Sequence, residues 1–245
     1  MQDKNRSELF SEIVEHRRAV RDFDTTHSMP ENIVEQAMND ALLAPSSSNL
    51  QLWEMHRVKS DGVKEKLAHL CMGQGAAKTA SELVVVVTRK DKWKERAKWN
   101  AEKIRSSLNG EEPNEKIKGA LAYYEKLMPF AYFNDPLNIT GFFKYLLLNT
   151  IGLFRPTVRR LGHTEGRIVA HKSAALAAQT FMLSVAASGY DTCPMEGVDP
   201  VRIKRLLKLP TGAEVNMVIA VGKRTSQGVY GPRLRVEANQ VIQTW

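Results

Sequence analysis

The run Leu83-Val84-Val85-Val86-Val87-Thr88 constrains the fold of this 245-residue chain more than any other segment. The run lacks the apolar and polar alternation of a half-exposed strand, and its branched residues predict a fully buried β-strand. A second buried strand is predicted for Val215 to Val221, and a shorter strand for Trp53 to Lys59. A chain of this length buries roughly 70 to 75% of its unfolded surface, so its core can form without disulfides or a structural metal.

Helical spacing and end signals predict the helices that accompany these strands. Ser28-Met29-Pro30-Glu31 has the pattern of a capping box, and the apolar residues that follow predict a helix over residues 30–43. A long helix from Ala170 to Ser188 is rich in small residues and stops at Gly189, which predicts a central buried helix. Further helices are predicted for residues 61–71 and, with Asp199 as N-cap, for residues 200–208.

Residues 92–165 differ in composition from the rest and are predicted to form a helical insertion within a single domain of residues 1–245. The segment is first charged, then aromatic, and then strongly apolar from Phe142 to Phe154. Lys144 and Asn149 interrupt the apolar stretch, which is shorter than the roughly 18 apolar residues that a spanning helix needs. No stable membrane insertion is therefore expected, although this stretch could lie on a membrane surface.

The charge of the chain favours an anionic partner. Its 35 basic and 27 acidic residues give a formal net charge of +8 at pH 7. Nucleic acid, anionic lipid and a phosphorylated cofactor are all compatible with this excess. Cys71 and Cys193 are far apart and belong to no CxxC or Cys/His ligand pattern, so a reducing cytoplasm and no metal site are expected.

Two familiar sequence patterns are incomplete in this chain. Gly73-Gln74-Gly75-Ala76-Ala77-Lys78-Thr79 resembles a phosphate-binding loop, but that loop requires Gly immediately before the Lys, and it follows a strand rather than precedes one. The segment is interpreted as a flexible helix-to-strand connection. Ser46-Ser47-Ser48 has no GxSxG context, so nucleophilic hydrolysis has no support.

Three other segments carry polar groups in a suggestive order. Arg17-Arg18-Ala19-Val20-Arg21 places three guanidinium groups within five residues, although such a run is usually a solvated basic face. Residues 44–53, Ala-Pro-Ser-Ser-Ser-Asn-Leu-Gln-Leu-Trp, form a polar turn that is long for a connector. Residues 193–199 surround Glu196 with Pro and Gly, where backbone N–H groups can be presented to a ligand or where two helices are merely joined.

Together these segments resemble the FMN-dependent nitroreductase family. The shared pattern is Arg-Arg-x-x-Arg-x-Phe, then Ala-Pro-Ser-Ser-x-Asn-x-Gln-x-Trp about thirty residues later, and Pro-x-Glu-Gly-x-Asp toward the C-terminus. The resemblance covers residues 8–90 and 166–237 and leaves the middle segment outside. It implies an α+β fold with a mainly antiparallel sheet flanked by helices, and an intertwined homodimer with FMN at its interface.

The resemblance assigns the phosphate end of FMN to arginines from both ends of the chain. Arg17 and Arg18 resemble the residues near the phosphate and ribityl chain, and Arg233 and Arg235 resemble the basic pair that clamps the phosphate. Ala19 stands within the same segment, at a position where the family commonly has Ser, so one hydroxyl contact is expected to be absent.

The resemblance also assigns residues to the flavin ring. Arg21 resembles the basic residue beside the pyrimidine end, and Gln74 matches a flavin-contacting amide. The loop Pro194, Met195, Glu196 and Gly197 resembles the one whose backbone faces flavin N5, and an N–H of Glu196 or Gly197 would orient the atom that carries hydride. Pro45, Ser46, Ser47 and Asn49 resemble the segment that the partner subunit supplies.

The activity implied is FMN-dependent NAD(P)H oxidoreduction by a ping-pong scheme, with NADH or NADPH as donor. The acceptor is expected to be a small molecule such as a nitroaromatic or a quinone, with enone reduction or reductive dehalogenation as alternatives on the same scaffold. A flavin-binding protein without turnover, in a regulatory role, remains a different possibility. Residues 92–165 are expected to act as a lid that sets substrate identity.

A third class of function is binding to a nucleic acid or to a membrane surface. It is motivated by Arg155, Arg159, Arg160 and Arg167, which follow the apolar stretch. A basic helix packed on the domain explains the same residues, and no nucleic acid partner is expected.

Overall fold

A four-stranded antiparallel sheet lies at the centre of the computed structural model, which describes residues 5–133, 135, 137 and 139–245. The strands are β1 (Trp53–Val58), β2 (Glu82–Thr88), β3 (Asp191–Met195) and β4 (Glu214–Gly222), in the order β1-β2-β4-β3. Val85 of β2 is opposite Val218 of β4, and Cys193 of β3 is opposite Ala220. The expected α+β architecture with an antiparallel sheet is confirmed.

Strand β2 is buried along its whole length, as its sequence predicts. Leu83, Val85 and Val87 contribute to one hydrophobic core, and Val84 and Val86 contribute to a second core on the opposite face. All five side chains are fully excluded from solvent. The strand needs no polar face, because helices cover the sheet on both sides.

Helices make up most of the remaining described chain. They are α1 (Arg6–His16), α2 (Glu31–Ala41), α3 (Asp61–Leu70), α4 (Gly75–Thr79), α5 (Trp93–Ser106), α6 (Glu115–Ala122), α7 (Met128–Tyr132), α8 (Ile139–Ile151), α9 (His163–Ala187), α10 (Pro200–Leu206) and α11 (Ala238–Val241). A π-helical turn, Tyr123–Leu127, joins α6 to α7. Within the described ranges, no helix is both long enough and apolar enough to span a bilayer.

The long helix α9 packs against the sheet along one face, but it is not buried all round, because Ile168 and Leu176 are exposed. Ala174, Ala177 and Ala178 are fully buried beside Phe181 in the core that α9 shares with α2. Small side chains let two helices approach closely, and this explains the run of alanines. The helix ends as predicted, with Ser188 as C-cap and Gly189 at a φ of +75°, but it begins seven residues earlier than expected, at His163.

Three local predictions are wrong. The N-cap of α2 is Pro30, whose side chain has no hydrogen-bond acceptor. Ser28 lies two residues before the N-cap, so it does not form the predicted capping box. The connection after Gly73 contains the short helix α4. The segment around Pro194 includes strand β3 rather than a loop between helices, and Pro is tolerated there because β3 is at the edge of the sheet.

Helices α5, α6, α7 and α8 lie within residues 92–165, in line with the helical character expected of that segment. Their buried residues Ala97, Met128 and Tyr132 form a third, smaller core together with Leu50 and Leu52. The segment therefore packs against the turn that precedes β1.

Candidate functional site

The basic segment after α1 runs along the edge of the sheet. Ala19 forms an isolated parallel bridge with Thr192 of β3, and the Val20 N–H donates to the Thr192 carbonyl over 3.1 Å. The Arg21 N–H donates to the carbonyl of Gly228 over 2.7 Å. These bonds fix the backbone while Val20 is buried in the core, so the neighbouring guanidinium groups remain available at the surface.

A buried carboxylate anchors this edge. Asp191 is 3% exposed and accepts hydrogen bonds from the backbone N–H of Arg224 over 2.9 Å and from its Nε over 2.7 Å. A guanidinium nitrogen of Arg224 also donates to the carbonyl of His16 over 2.9 Å. The end of α1 is thereby tied to the sheet immediately before the arginine segment begins.

Four arginines from opposite ends of the chain converge on one cavity of about 320 Å³. Arg18 donates to the carbonyl of Gly231 over 2.9 Å, and Arg233 donates to the carbonyl of Arg17 over 2.8 Å. Arg235 lines the same cavity. Among the residues that the structure describes, no carboxylate forms an ion pair with any of the four.

The electrostatics of this arginine cavity suit an anion. Burial lowers the pKa of the Arg17 guanidinium, and the positive charges of the three neighbouring arginines lower it further. Like charges placed together without an acid destabilise the protein unless a bound anion offsets them. A phosphate group forms charge-assisted, bidentate hydrogen bonds with guanidinium groups and fits this requirement.

A chain of polar contacts leads from the arginine cavity to the loop after β3. Arg21, which also lines the cavity, has a guanidinium nitrogen 3.5 Å from the side-chain oxygen of Gln74. The Gln74 amide nitrogen donates to the carbonyl of Gly197 over 3.0 Å. Close packing at this point requires glycine, because a Cβ on Gly75 would lie only 2.9 Å from the carbonyl oxygen of Arg21.

The loop after β3 presents backbone groups to solvent. Glu196 and Gly197 are exposed, and in the described part of the chain their backbone N–H groups have no hydrogen-bond partner. The Met195 side chain points into the core and is 2% exposed, so only its backbone can serve this surface. Pro194 is half-buried within the strand. The loop therefore offers N–H donors next to Gln74.

The segment Pro45 to Asn49 lies apart from the arginine cavity in a single chain. The Ser47 N–H donates to the Ser173 hydroxyl of α9 over 3.3 Å, and the Asn49 side chain donates to that of Asn100 over 2.9 Å. The Ser46 hydroxyl accepts the Gln51 N–H over 3.1 Å. None of these residues lines the arginine cavity.

The backbone of this same segment is strained. Ser48, Asn49 and Gln51 have φ values of 54°, 50° and 48°, in the left-handed region that non-glycine residues seldom adopt. Strain of this kind persists where the surroundings hold it, and it clusters at functional sites. The segment thus qualifies as a candidate site element, although it does not complete the arginine cavity of its own chain.

Sequence reasoning missed a second and larger cavity. It encloses about 530 Å³ between the turn at Ser47 and the helices of residues 92–165. Most of its lining is apolar or aromatic, including Tyr123, Met128 and Phe130, while Arg160 and Glu165 add charges. Only the richness of the segment in aromatic residues signals such a cavity in advance. Tyr230 and Pro232, which line the arginine cavity, were missed as well.

In the described ranges, no group of three or more His, Cys, Asp or Glu side chains is arranged to hold a metal ion. The candidate site therefore consists of the arginine cavity, the contacts from Arg21 through Gln74 to Gly197, and the free N–H groups of the loop after β3.

Comparison with known proteins identifies the fold and the family. Residues 14–223 match the profile of the Nitroreductase family. MhqN of Bacillus subtilis (strain 168), provisionally named an NAD(P)H nitroreductase, is 26% identical over 235 residues, which cover 96% of this chain and 98% of MhqN.

Solved structures of this fold are similar to the chain over nearly its whole length. The crystal structure of ydfN from Bacillus subtilis is similar with a TM-score of 0.72 and 25% identity, over 98% of this chain and 100% of that one. A protein of Exiguobacterium sibiricum 255-15, solved in complex with FMN, has a TM-score of 0.67 and 20% identity, over 96% and 97% of the two chains. The profile match covers well over half of the residues, and this chain therefore belongs to the nitroreductase family of oxidoreductases.

Proposed function

We propose that this protein is an FMN-dependent NAD(P)H oxidoreductase that transfers hydride to a small-molecule acceptor. The observation that carries the proposal is the arginine cavity, in which Arg17, Arg18, Arg233 and Arg235 meet without a carboxylate partner in the described chain. The cavity continues through Arg21 and Gln74 to exposed backbone donors, and this sequence of groups matches the polar ends of a phosphorylated flavin.

The residues present fit FMN. The four arginines would hold its phosphate, and Ala19 lines the same cavity without the hydroxyl that the family commonly has there. Arg21 and Gln74 would bind the polar end of the ring system. The FMN complex of the Exiguobacterium sibiricum protein, which shares the fold, supports this choice of ligand.

When bound, FMN would supply reversible two-electron hydride chemistry at N5. The positive charge of Arg21 would stabilise negative charge that develops beside it, and it is preorganised by its contact with Gln74. The free N–H groups of Glu196 and Gly197 would orient and polarise the reacting position by donating hydrogen bonds. Because backbone donors perform this task, the carboxylate of Glu196 has no assigned role as an acid.

We further propose a homodimer in which Pro45, Ser46, Ser47 and Asn49 serve the site of the partner subunit. Large exposed apolar side chains near this segment and in the tail support an interface, including Leu43 at 84%, Leu234 at 79% and Ile242 at 67% exposure. The 530 Å³ cavity shares Ser47 with this segment and would hold the acceptor beneath residues 92–165, which would act as a lid.

The acceptor is then an aromatic or otherwise apolar molecule such as a nitroaromatic or a quinone, because the lining of this cavity is mainly apolar. NADH or NADPH would reduce the protein first and leave before the acceptor binds. We assign the protein to the cytoplasm, in keeping with the free thiols of the buried residues Cys71 and Cys193.

The first experiment is an absorption spectrum of the purified protein, followed by identification of any flavin released by heat. We expect oxidised flavin bands, bleaching by NADH or NADPH, and parallel lines in double-reciprocal plots with a quinone acceptor. The variant Arg21→Gln should bind FMN but be reduced more slowly, while Arg205→Gln, an exposed arginine on α10, should match the wild type.

Three outcomes would change the proposal. A protein that is colourless and takes up no added FMN would contradict it. A protein that binds FMN but oxidises neither NADH nor NADPH would be a flavin-binding protein without turnover. Faster reduction of an enone or a halogenated compound than of quinones would retain the flavin site and replace only the acceptor.

A further inference from the structure

Helix α8 buries a charged residue and exposes most of its large apolar side chains. The residues that it buries against the protein are Gly141, Lys144 and Leu148, which share one face at helical spacing. Its apolar side chains point to solvent instead, among them Phe142 at 62%, Phe143 at 63%, Tyr145 at 49%, Leu146 at 55% and Leu147 at 50% exposure. A helix that packs only to fill a core would have the opposite orientation.

Specific contacts hold α8 in this orientation. The ammonium of Lys144 donates to the carbonyl of Phe133 and lies 5.4 Å from the ring centre of Phe130. Lys144 is 6% exposed, and burial lowers the pKa of its ammonium group. Rotating the apolar face inward would break these contacts and turn the lysine outward, so the exposed face is a property of the fold.

The apolar surface continues beyond the end of α8. Leu153 and Phe154 are 76% and 86% exposed, and Val158 is 62% exposed. Between the phenylalanines of α8 and α7 an apolar groove of about 330 Å³ opens, lined by Phe130, Phe133, Phe143 and Leu147 with other residues. Contiguous exposed apolar surface of this kind marks a site of interaction with another apolar body.

Basic residues border this surface. Residues 136–164 contain Lys144, Arg155, Arg159 and Arg160 but neither Asp nor Glu. The chain folds back after α8, because the Asn149 side chain donates to the carbonyl of Arg159 over 3.2 Å, so the arginines lie beside the second half of the helix. All three arginines are exposed. Glu165 shares a cavity with Arg160, but in the described chain none of the three arginines forms an ion pair, so the surface combines apolar side chains with an excess of positive charge.

We propose that the surface formed by α8 and residues 153–160 docks on an anionic lipid bilayer and lies in its interface. Thirteen residues of helix extend about 20 Å, less than the roughly 30 Å of bilayer hydrocarbon, so α8 lies along the surface rather than across it. Apolar side chains enter the boundary of the acyl chains, and the arginines pair with lipid phosphates.

A bilayer explains the charge better than a second copy of this surface. In a two-fold symmetric contact, the same surface meets itself, and the arginines of two copies would approach with no acidic residue of residues 136–164 to offset them. Anionic headgroups supply the missing negative charge. Arg160 and Val158 also line the 530 Å³ cavity, so docking brings that cavity next to the lipid.

This inference extends beyond the proposed reaction and uses none of the residues assigned to FMN. Its test is co-sedimentation of the purified 245-residue chain with vesicles of phosphatidylcholine alone and of phosphatidylcholine mixed with phosphatidylglycerol. The wild type should bind the anionic vesicles, and added salt should weaken the binding because it screens the arginines. Binding to the neutral vesicles should be much weaker.

Two variants separate the apolar and the basic contributions. Arg155→Gln combined with Arg160→Gln should lower the partition coefficient by roughly 30-fold, the effect expected for two basic side chains near an anionic surface. Phe142→Ser combined with Leu146→Ser should lower it by roughly tenfold or more. A matched control, Val201→Ser with Arg205→Gln on α10, changes exposed residues of the same types and should bind like the wild type.

A second measurement uses Phe142→Trp as a reporter. After the wild-type spectrum, which comes from the four native tryptophans, is subtracted, the remaining fluorescence should shift to the blue when anionic vesicles are added. Failure of the wild type to bind at low salt, or equal binding by all variants, would overturn the inference. Conversion of a dimer to a monomer by the serine variant in analytical ultracentrifugation would identify the surface as a subunit interface instead. Flavin content and NAD(P)H oxidation of the wild type, measured in parallel, test the proposed function independently.

Discussion

Strand β2 and helix α8 are both strongly apolar, yet the fold treats them in opposite ways. Val85 is fully buried, whereas Phe142 is 62% exposed. Helices cover β2 on both faces of the sheet, but α8 is held by the buried Lys144 with its phenylalanines outward. Apolar composition thus predicts that a segment will be buried, either within the chain or against a binding partner. The position of the polar contacts decides which of the two occurs.

Each large apolar side chain left exposed forgoes on the order of 1.5–3 kcal/mol that complete burial would contribute. In the cores around β2 that energy stabilises the folded chain. On the surface of α8 it is still available for binding. The two regions therefore make contrasting predictions for the same kind of substitution.

The largest difference in the free energy of unfolding is expected between Phe181→Ala and Phe142→Ala. Phe181 is fully buried between α9 and the sheet, so its truncation leaves a cavity and should lower the free energy of unfolding by about 3–5 kcal/mol. Phe142→Ala should change it by less than about 0.5 kcal/mol, because little surface becomes newly exposed. Urea denaturation of the two variants against the wild type measures both effects.

Either of two results would break the comparison. A large loss of stability in Phe142→Ala would mean that the α8 surface is covered in solution, and protein-concentration dependence of that loss would reveal a subunit contact. A small loss in Phe181→Ala would mean that the core around α9 can collapse onto the vacated space.

A second prediction concerns the anchor of the candidate site. Asp191→Ala removes the acceptor for the Arg224 backbone and guanidinium groups and leaves a partly buried charge unpaired, so stability should fall by about 3 kcal/mol. The end of α1 should loosen with it, and FMN affinity should drop. Asp61→Ala is the matched control, since its carboxylate is 94% exposed and lies far from the sheet edge along the chain.

Thermal unfolding with and without FMN checks this prediction. Unchanged stability in Asp191→Ala would show that the contact between Arg224 and His16 is sufficient to hold the edge. Lost stability with unchanged FMN affinity would show that the arginine segment keeps its position independently of Asp191.

Much of the fold follows from signals that lie within a few residues of each other. The branched run of β2, the Asp199 cap and the Gly189 stop act locally, and the structure has each of them where the sequence predicts it. Strand β3 could not be predicted in this way. Pro194 predicts a loop when only its neighbours in the sequence are considered. Strand β3 is possible because it lies at the edge of the sheet, next to β4.

The candidate site illustrates the same limit. Residues 17–21 suggest an anion site only together with Arg233, which is 216 residues away from Arg17 along the chain. Family resemblance proposes that pairing, whereas spacing alone does not. The orientation of α8 could not be predicted either. The sequence shows the apolar stretch, but it does not show that Lys144 contacts Phe133.

A third prediction separates the arginine cavity from ordinary surface charge. In the described chain the Arg235 side chain donates only to the adjacent carbonyl of Leu234, so Arg235→Gln should leave stability nearly unchanged. Loss of one charge-assisted contact to a phosphate should weaken FMN binding by about 1.5–3 kcal/mol, or roughly 10-fold to 150-fold. Arg205→Gln on α10 provides the control.

Isothermal titration of the flavin-free protein with FMN and with riboflavin measures this effect. The variant should lose affinity for FMN while its weaker binding of riboflavin stays constant, because riboflavin has no phosphate. Equal losses for both ligands would show that Arg235 acts on the shape of the cavity rather than on the phosphate.

The smallest expected effect is a pH-dependent loosening of the first turn of α8. Asp135 accepts hydrogen bonds from the backbone N–H groups of Ile139 and Thr140, each over 2.8 Å, and from the Thr140 hydroxyl. The Thr140 hydroxyl and these backbone groups lower the pKa of the Asp135 carboxyl from 3.8 to about 2, although desolvation opposes them.

A depressed pKa in the folded state means that the cap stabilises the fold above the unfolded value and is lost as pH falls through the folded value. The start of α8 should therefore remain ordered as the pH falls toward 3 and loosen only near pH 2. The amide chemical shifts of Ile139 and Thr140, followed by NMR as pH is lowered, measure this transition. Asp135→Asn should abolish it, because an amide does not titrate. A midpoint near pH 4 in the wild type would mean that the cap does not form, and the outward face of α8 would then depend on Lys144 alone.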